Sequence, residues 1–207
     1  MWINPETLEV FNAHHEIRAA FQNTSFPSVI SDEDIASVGL MPVVKTGKPT
    51  HDPITQVMRE LDPTPVEGTW TQQWGVYALP AEEATANRAA ARVAKWEAIK
   101  AERDRRKTLG VKVGDRWYHS DADSRIQQIS LFVMGASVPP IPWKTLTTTP
   151  TPVFVTMTQT IAAGIFHNTV ANDAAIFAAA ETHRIAMEAS PNPESYDFNT
   201  GWPLSIE

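Results

Sequence analysis

Residues 95–128 read KWEAIKAERDRRKTLGVKVGDRWYHSDADSRIQQ, and the local rule changes three times along them. A strongly charged helical run stops at Leu109-Gly110, where glycine supplies the left-handed residue that commonly closes a helix. Val111, Val113, Trp117 and Tyr118 then flank Gly114-Asp115, the pattern of a short hairpin. The acidic, hydroxyl-rich HSDADS opens a new helix. Ser124 and Gln127 have capping-box spacing, and Asp121 and Asp123 stand where a helix N-terminus is positive. Helix, hairpin and capped helix in direct succession predict an α+β protein.

Towards the N-terminus, Pro80 to Lys107 reads as one long helix. Pro80 suits a first turn, Glu82 and Glu83 its positive end, and Arg103, Arg105, Arg106 and Lys107 its last turn. Met1 to Leu79 reads as a small antiparallel-sheet module. Trp2-Ile3 and Leu8-Val10-Phe11 flank Asn4-Pro5 as an opening hairpin, and short helices run over Ala13 to Phe21 and Ser31 to Gly39. The stretches LMPVV, ITQVMREL and TWTQQWGVYAL then predict a three-stranded meander, with Thr46 to Pro53 and Asp62 to Gly68 as its turns. Towards the C-terminus come a helix from Ser124 to Gly135, the extended SVPPIPW, and a hairpin of Lys144–Thr149 with Val153–Thr156. A helix capped by Thr158 or Thr160 follows, either broken near Asn172-Asp173 or continuous to Ala189. The aperiodic tail SPNPESYDFNTGWPLSIE is expected to lie in a surface groove, held by Tyr196, Phe198 and Trp202. The expected organisation is an N-terminal α+β module (1–79), a connecting helix (80–109) and a C-terminal helical module with short β-hairpins (110–207).

Composition narrows the function classes. Zero cysteines exclude disulfides and thiolate metal sites. A net charge of -7 argues against coating nucleic acid, which needs a basic surface. No run of apolar residues reaches membrane-spanning length, and MWINPETLEV lacks the basic-then-apolar order of a signal peptide.

Candidate chemistry is sparse. His119, Asp121 and Asp123 form an H-x-D-x-D run that metal ligation could use, but helix capping accounts for the same residues without further ligands. His14 and His15 are neighbours on a helix and point in different directions. No G-x-S-x-G elbow and no phosphate-cradling glycine loop occurs. The sequence therefore yields no catalytic, cofactor-binding or metal-binding assignment, and no enzyme is expected. Trp70, Trp74 and Trp117 alternate with polar residues and are expected in the core; exposed on a sheet they would instead suit carbohydrate stacking, and the sequence does not decide which face they occupy.

The long helix offers a different kind of surface. Ala89, Val93, Trp96 and Ile99 make a narrow apolar stripe, the form that suits a helix packed on copies of itself. Arg103 and Arg106 extend it with charge that either pairs along the helix or meets an acidic partner. The stripe fits two outcomes: one helix lying across its own domain, or a homo-oligomer, a trimer by preference, joined through Ala86 to Ile99.

Several of these segments also carry a resemblance. IKAERDRRK, GVKVGDRWYHSDADSRIQQ, WKT, FVTMT and YDFNTGW, in that order over about residues 94–203, resemble a small domain family of unknown function, DUF4376, found in phage and prophage proteins. HDPITQV and GTWTQQW are similar, less specifically, to the front modules of other phage tail-associated proteins. The family has no established activity, so the resemblance implies a context: a structural protein of a phage tail, at the baseplate or the root of a tail fibre. Such a protein is made in the host cytoplasm and ends in the virion tail, its partners being other tail or fibre proteins, with no membrane and no nucleic acid. An assembly chaperone that leaves before the virion is finished is the alternative, and an enzyme is the remaining class.

Overall fold

The computed structural model describes residues 1–206, and the chain divides into two compact units, Met1–Asn87 and Arg88 onward. The fold is α+β: several small antiparallel sheets and two long helices among shorter ones. The division falls inside the first long helix, α3, described below with the second unit.

In the first unit β1 (Trp2–Ile3) pairs antiparallel with both β2 (Val10–Phe11) and β3 (Met41–Pro42). Helices α1 (His14–Ala20) and α2 (Asp32–Ser37) fold over this sheet. Ser31 caps α2: its hydroxyl accepts from the Asp34 N–H, and the Asp34 carboxylate takes the Ser31 N–H and hydroxyl in return. Phe11, Ile17, Ile30, Ile35 and Leu40 close the core, with Trp2, Phe21 and Phe26 packed on it.

The expected meander does not form. The LMPVV strand joins β1, and β4 (Gln56–Val66) pairs only with β5 (Thr69–Ala78), forming a long two-stranded ribbon. Period two specifies a strand and its faces, not which strand lies beside it. The Asp62–Gly68 turn is likewise shorter than expected. Strand β4 continues through a bulge between Leu61 and Thr64, and its prolines sit on an edge strand that needs no donor from them. The reversal is confined to Glu67-Gly68, whose φ values of 50° and 80° are those of a tight primed hairpin turn. Trp70 and Trp74 are half-buried on this ribbon, not core residues, because one layer of sheet covers only one side of a side chain.

In the second unit the first long helix, α3 (Ala81–Arg106), gives way to a turn over residues 107–109, and Gly110, with φ of +96°, leads the chain into the next strand. The hairpin β6 (Val111–Val113) and β7 (Arg116–Tyr118) follows, then α4 (Ala122–Met134) and a 3-10 turn at Gly135–Ser137. The hairpin β8 (Pro142–Lys144) and β9 (Phe154–Thr156) leads into α5 (Gln159–Ala189), which runs unbroken past Asn172-Asp173. Thr158 caps α5 by accepting from the Ile161 N–H. One core gathers Val111, Tyr118, Leu131, Met157, Ala162 and Ile165, with Trp143 packed on it and Trp117 half-buried nearby. Hairpin β6–β7 can approach α5 because position 164 is glycine: a β-carbon there would stand 2.8 Å from Val113 Cγ1. Asn168 seals the same contact, donating to the Lys112 carbonyl at 2.7 Å.

Candidate functional site

The stretch that decides the fold also builds the junction of the second unit. Ser120, 2% exposed, accepts the Gly110 N–H and donates to the Lys107 carbonyl, so the end of α3 is tied to the hairpin leaving it. Arg125 completes the junction. Its Nε donates to the Ser120 carbonyl at 2.6 Å and its Nη2 to the Lys107 carbonyl at 2.7 Å. The guanidinium then grips the Asp173 carboxylate of α5 at 2.6 and 2.9 Å. One side chain thus holds three elements, which the planar fork of arginine suits.

The cap of α4 differs from the expected box. The N-cap is Asp121, whose carboxylate accepts from the Ser124 N–H at 3.0 Å and the Ser124 hydroxyl at 2.7 Å. These bonds, the backbone one foremost, hold the Asp121 carboxyl below its ordinary range. Ser124 is three residues inside the helix, so it donates to the cap instead of being one. Gln128, not Gln127, is the glutamine that ties back, donating to the His119 carbonyl at 2.6 Å. Among the described residues no group of three or more His, Asp or Glu side chains is placed to hold a metal.

The stripe expected to join copies of α3 is divided. Ile99 is fully buried, sharing a core with Ala180 and Met187 of α5, and Trp96 packs on that core beside Tyr196, Phe198 and Trp202 of the tail. Arg103 stacks over Phe177 at 4.8 Å and Arg106 over Trp202 at 5.3 Å. Arg106 also shares Glu102 with Arg105, whose bond contributes most to holding the Glu102 carboxyl below its ordinary range. Ala89 and Val93 alone remain on the surface. Ile99 is therefore not available to a second chain, because α5 and the tail already cover it.

A larger apolar surface lies on α4 and α5. Ile126 (64% exposed), Ile129 (48%) and Val133 (76%) line one face of α4 at spacings of three and four. Phe166 and Val170 of α5 continue it, the Phe166 ring stacked on Phe132 at 4.2 Å. A recess of about 140 Å³ opens between the helices, its wall formed by Ile129, Phe166 and Val170 and its polar end by Arg125 and Asp173. That end is neutral overall, since the two charges satisfy each other. No face of this helix was assigned from the sequence; the run ISLFV within α4 carries the exposed Ile129 and Val133, with Leu131 buried between them.

The second unit is thus a helix–hairpin–helix scaffold built around a partly buried arginine junction, with an exposed apolar face on α4 and α5. The family model described as "Domain of unknown function (DUF4376)" matches residues 90–200, and the chain belongs to that family. No curated protein and no solved structure matches the chain.

Proposed function

We propose that the chain is a structural component of a bacteriophage tail, at the baseplate or where a tail fibre attaches, acting by docking to neighbouring proteins and to its own copies. The observation that carries this reading is the apolar face of α4 and α5. Contiguous exposed patches of that kind mark surfaces that other proteins cover. The β4–β5 ribbon supports it from the first unit, since β4 is an edge strand that offers backbone groups to a partner strand, the β5 edge being partly taken by Val44 and Thr46. The phage context comes from the resemblance of residues 94–203 to proteins found beside tail-fibre and baseplate genes. The net charge of -7 fits protein partners in place of nucleic acid. Among the described residues no helix is long and apolar enough to cross a membrane. The protein is made in the host cytoplasm and ends in the tail.

Mass spectrometry of purified particles tests this. A copy number in fixed ratio to known tail proteins is the expected result. Abundance in the lysate with none in the particles would replace the proposal by the chaperone reading, which uses the same surfaces transiently.

A further inference from the structure

The geometry points to a specific occupant for the α4–α5 face: a second copy of the same chain, related by a two-fold axis with the two α4 helices antiparallel. The inference deepens the assembly reading above and moves self-association from α3 to α4.

An isologous interface needs one patch that complements itself. Here knobs and socket stand side by side. Ile126 and Val133 project, at 64% and 76% exposure, and the recess bounded by Ile129, Phe166 and Val170 lies one helix row away. Turning one copy over by a two-fold places the knobs of each above the socket of the other. The socket offers no net charge to a ligand, since Arg125 and Asp173 are already paired through two bonds, and Gln128 and Thr169 are its other polar lining residues. An aliphatic side chain is the group that fits it.

Charge and size agree with this occupant. Along α4 the charged side chains are Asp123 and the engaged Arg125. Antiparallel packing keeps the two Asp123 carboxylates and the two positive helix ends at opposite sides of the interface, which avoids like-charge contact. Ile126, Ile129, Val133 and Val170 together present roughly 400–500 Å² of apolar surface, at the upper end of what lone monomers expose. Two such faces with a rim of Gln127 and Ser130 approach the roughly 1,200–2,000 Å² of total surface that stable interfaces bury.

The test is sedimentation and light scattering of the purified full chain, with three variants. The wild type is expected at twice 22.9 kDa at concentrations of about 100 µM and below. Ile126→Glu and Val133→Glu should each weaken association by at least about 100-fold, since a buried unpaired carboxylate replaces an anchor. Their far-UV circular dichroism should match the wild type, because both side chains are exposed in the single chain. Val93→Glu, on the exposed part of α3, should leave the pair intact. A wild type that stays monomeric at about 100 µM overturns the inference and assigns the face to a protein of another sequence. A pair that neither α4 variant disturbs, or one that Val93→Glu dissociates, overturns it too. A monomeric chain found in purified particles would defeat this inference and leave the proposed function standing.

Discussion

Arg125 and Asp173, 48 residues apart, meet through two hydrogen bonds of 2.6 and 2.9 Å, and both side chains are 23% exposed. The same guanidinium supplies donors to the Lys107 and Ser120 carbonyls. Removing it leaves the Asp173 carboxylate and the Ser120 carbonyl without this donor, while the Lys107 carbonyl keeps only the Ser120 hydroxyl. Arg125→Ala should cost about 2–3 kcal/mol, below the range for a fully buried pair because solvent reaches this one. Lysine carries the charge but not the fork, so Arg125→Lys should recover less than half of the loss. Urea denaturation measures both. Full recovery by lysine would show that charge alone, and not the shared geometry, holds the junction.

Position 164 should invert the usual helix rule. Alanine in place of an interior glycine ordinarily stabilises a helix by about 0.5–1 kcal/mol. In α5 the added methyl would stand 2.8 Å from Val113 Cγ1, so the Val113 side chain or the β6–β7 hairpin that carries it must shift. Gly164→Ala should therefore destabilise by about 1–2 kcal/mol, the range for overpacking. Combining it with Val113→Ala should recover part of that cost, seen as a non-additive double-mutant cycle. An additive pair would mean that the contact is not tight.

The α4 cap makes a pH prediction. Asp121→Ala should cost about 1 kcal/mol near neutrality, the usual loss at an N-cap. The Asp121 carboxyl is depressed by the Ser124 N–H and hydroxyl. A depressed carboxyl contributes stability that is fully present above its unfolded value and is lost as pH falls through its folded value. The destabilisation caused by Asp121→Ala should thus shrink on acidification, as the wild type itself loses the charged cap. Melting temperatures across the acid range give this difference directly. A gap that stays constant would assign the cap to hydrogen bonding by the neutral acid. Chelator should leave every one of these melting curves unchanged.

Local rules were legible in the sequence where one segment suffices to state them. The left-handed Gly110 after α3, a threonine cap at Thr158 or Thr160 and a short helix starting at Ser31 all depend on neighbours within a few residues. The HSDADS segment misled because two registers satisfy the same rule: Ser124 with Gln127 fits a box, yet Asp121 with Ser124 closes the bonds. Pairings over long separations were not legible. Nothing in LMPVV says that it lies beside Trp2-Ile3, and nothing in SRIQQ says that Arg125 meets Asp173. On α3, Trp96 and Ile99 are covered by α5 and by an aperiodic tail, and such a tail has no pattern to announce its partner.

That tail carries the last prediction. Tyr196, Phe198 and Trp202 pack on the core of Ile99, Ala180 and Met187. The Trp202 indole N–H donates to the Phe198 carbonyl at 2.7 Å, and the Tyr196 hydroxyl hydrogen-bonds with Nδ1 of buried His183 at 2.9 Å. Lys95 of α3 donates to the Tyr196 carbonyl, so the tail is fastened at both its aromatic anchors and its backbone. Trp202→Ala should cost about 3 kcal/mol, the low end for such a truncation because the ring is partly exposed. Trp202→Phe keeps most of the apolar cover and loses the indole bond, and Tyr196→Phe loses one hydroxyl bond, so each should cost about 1 kcal/mol. The consequence should reach α3. Trypsin has Arg103, Arg105, Arg106 and Lys107 available in sequence, yet Arg103 and Arg106 are held over Phe177 and Trp202. The wild type should resist cleavage there, and Trp202→Ala should be cut within Arg103–Lys107 at trypsin levels the wild type survives. Cleavage at the same rate in both would show that α5, without the tail, is enough to hold the end of α3.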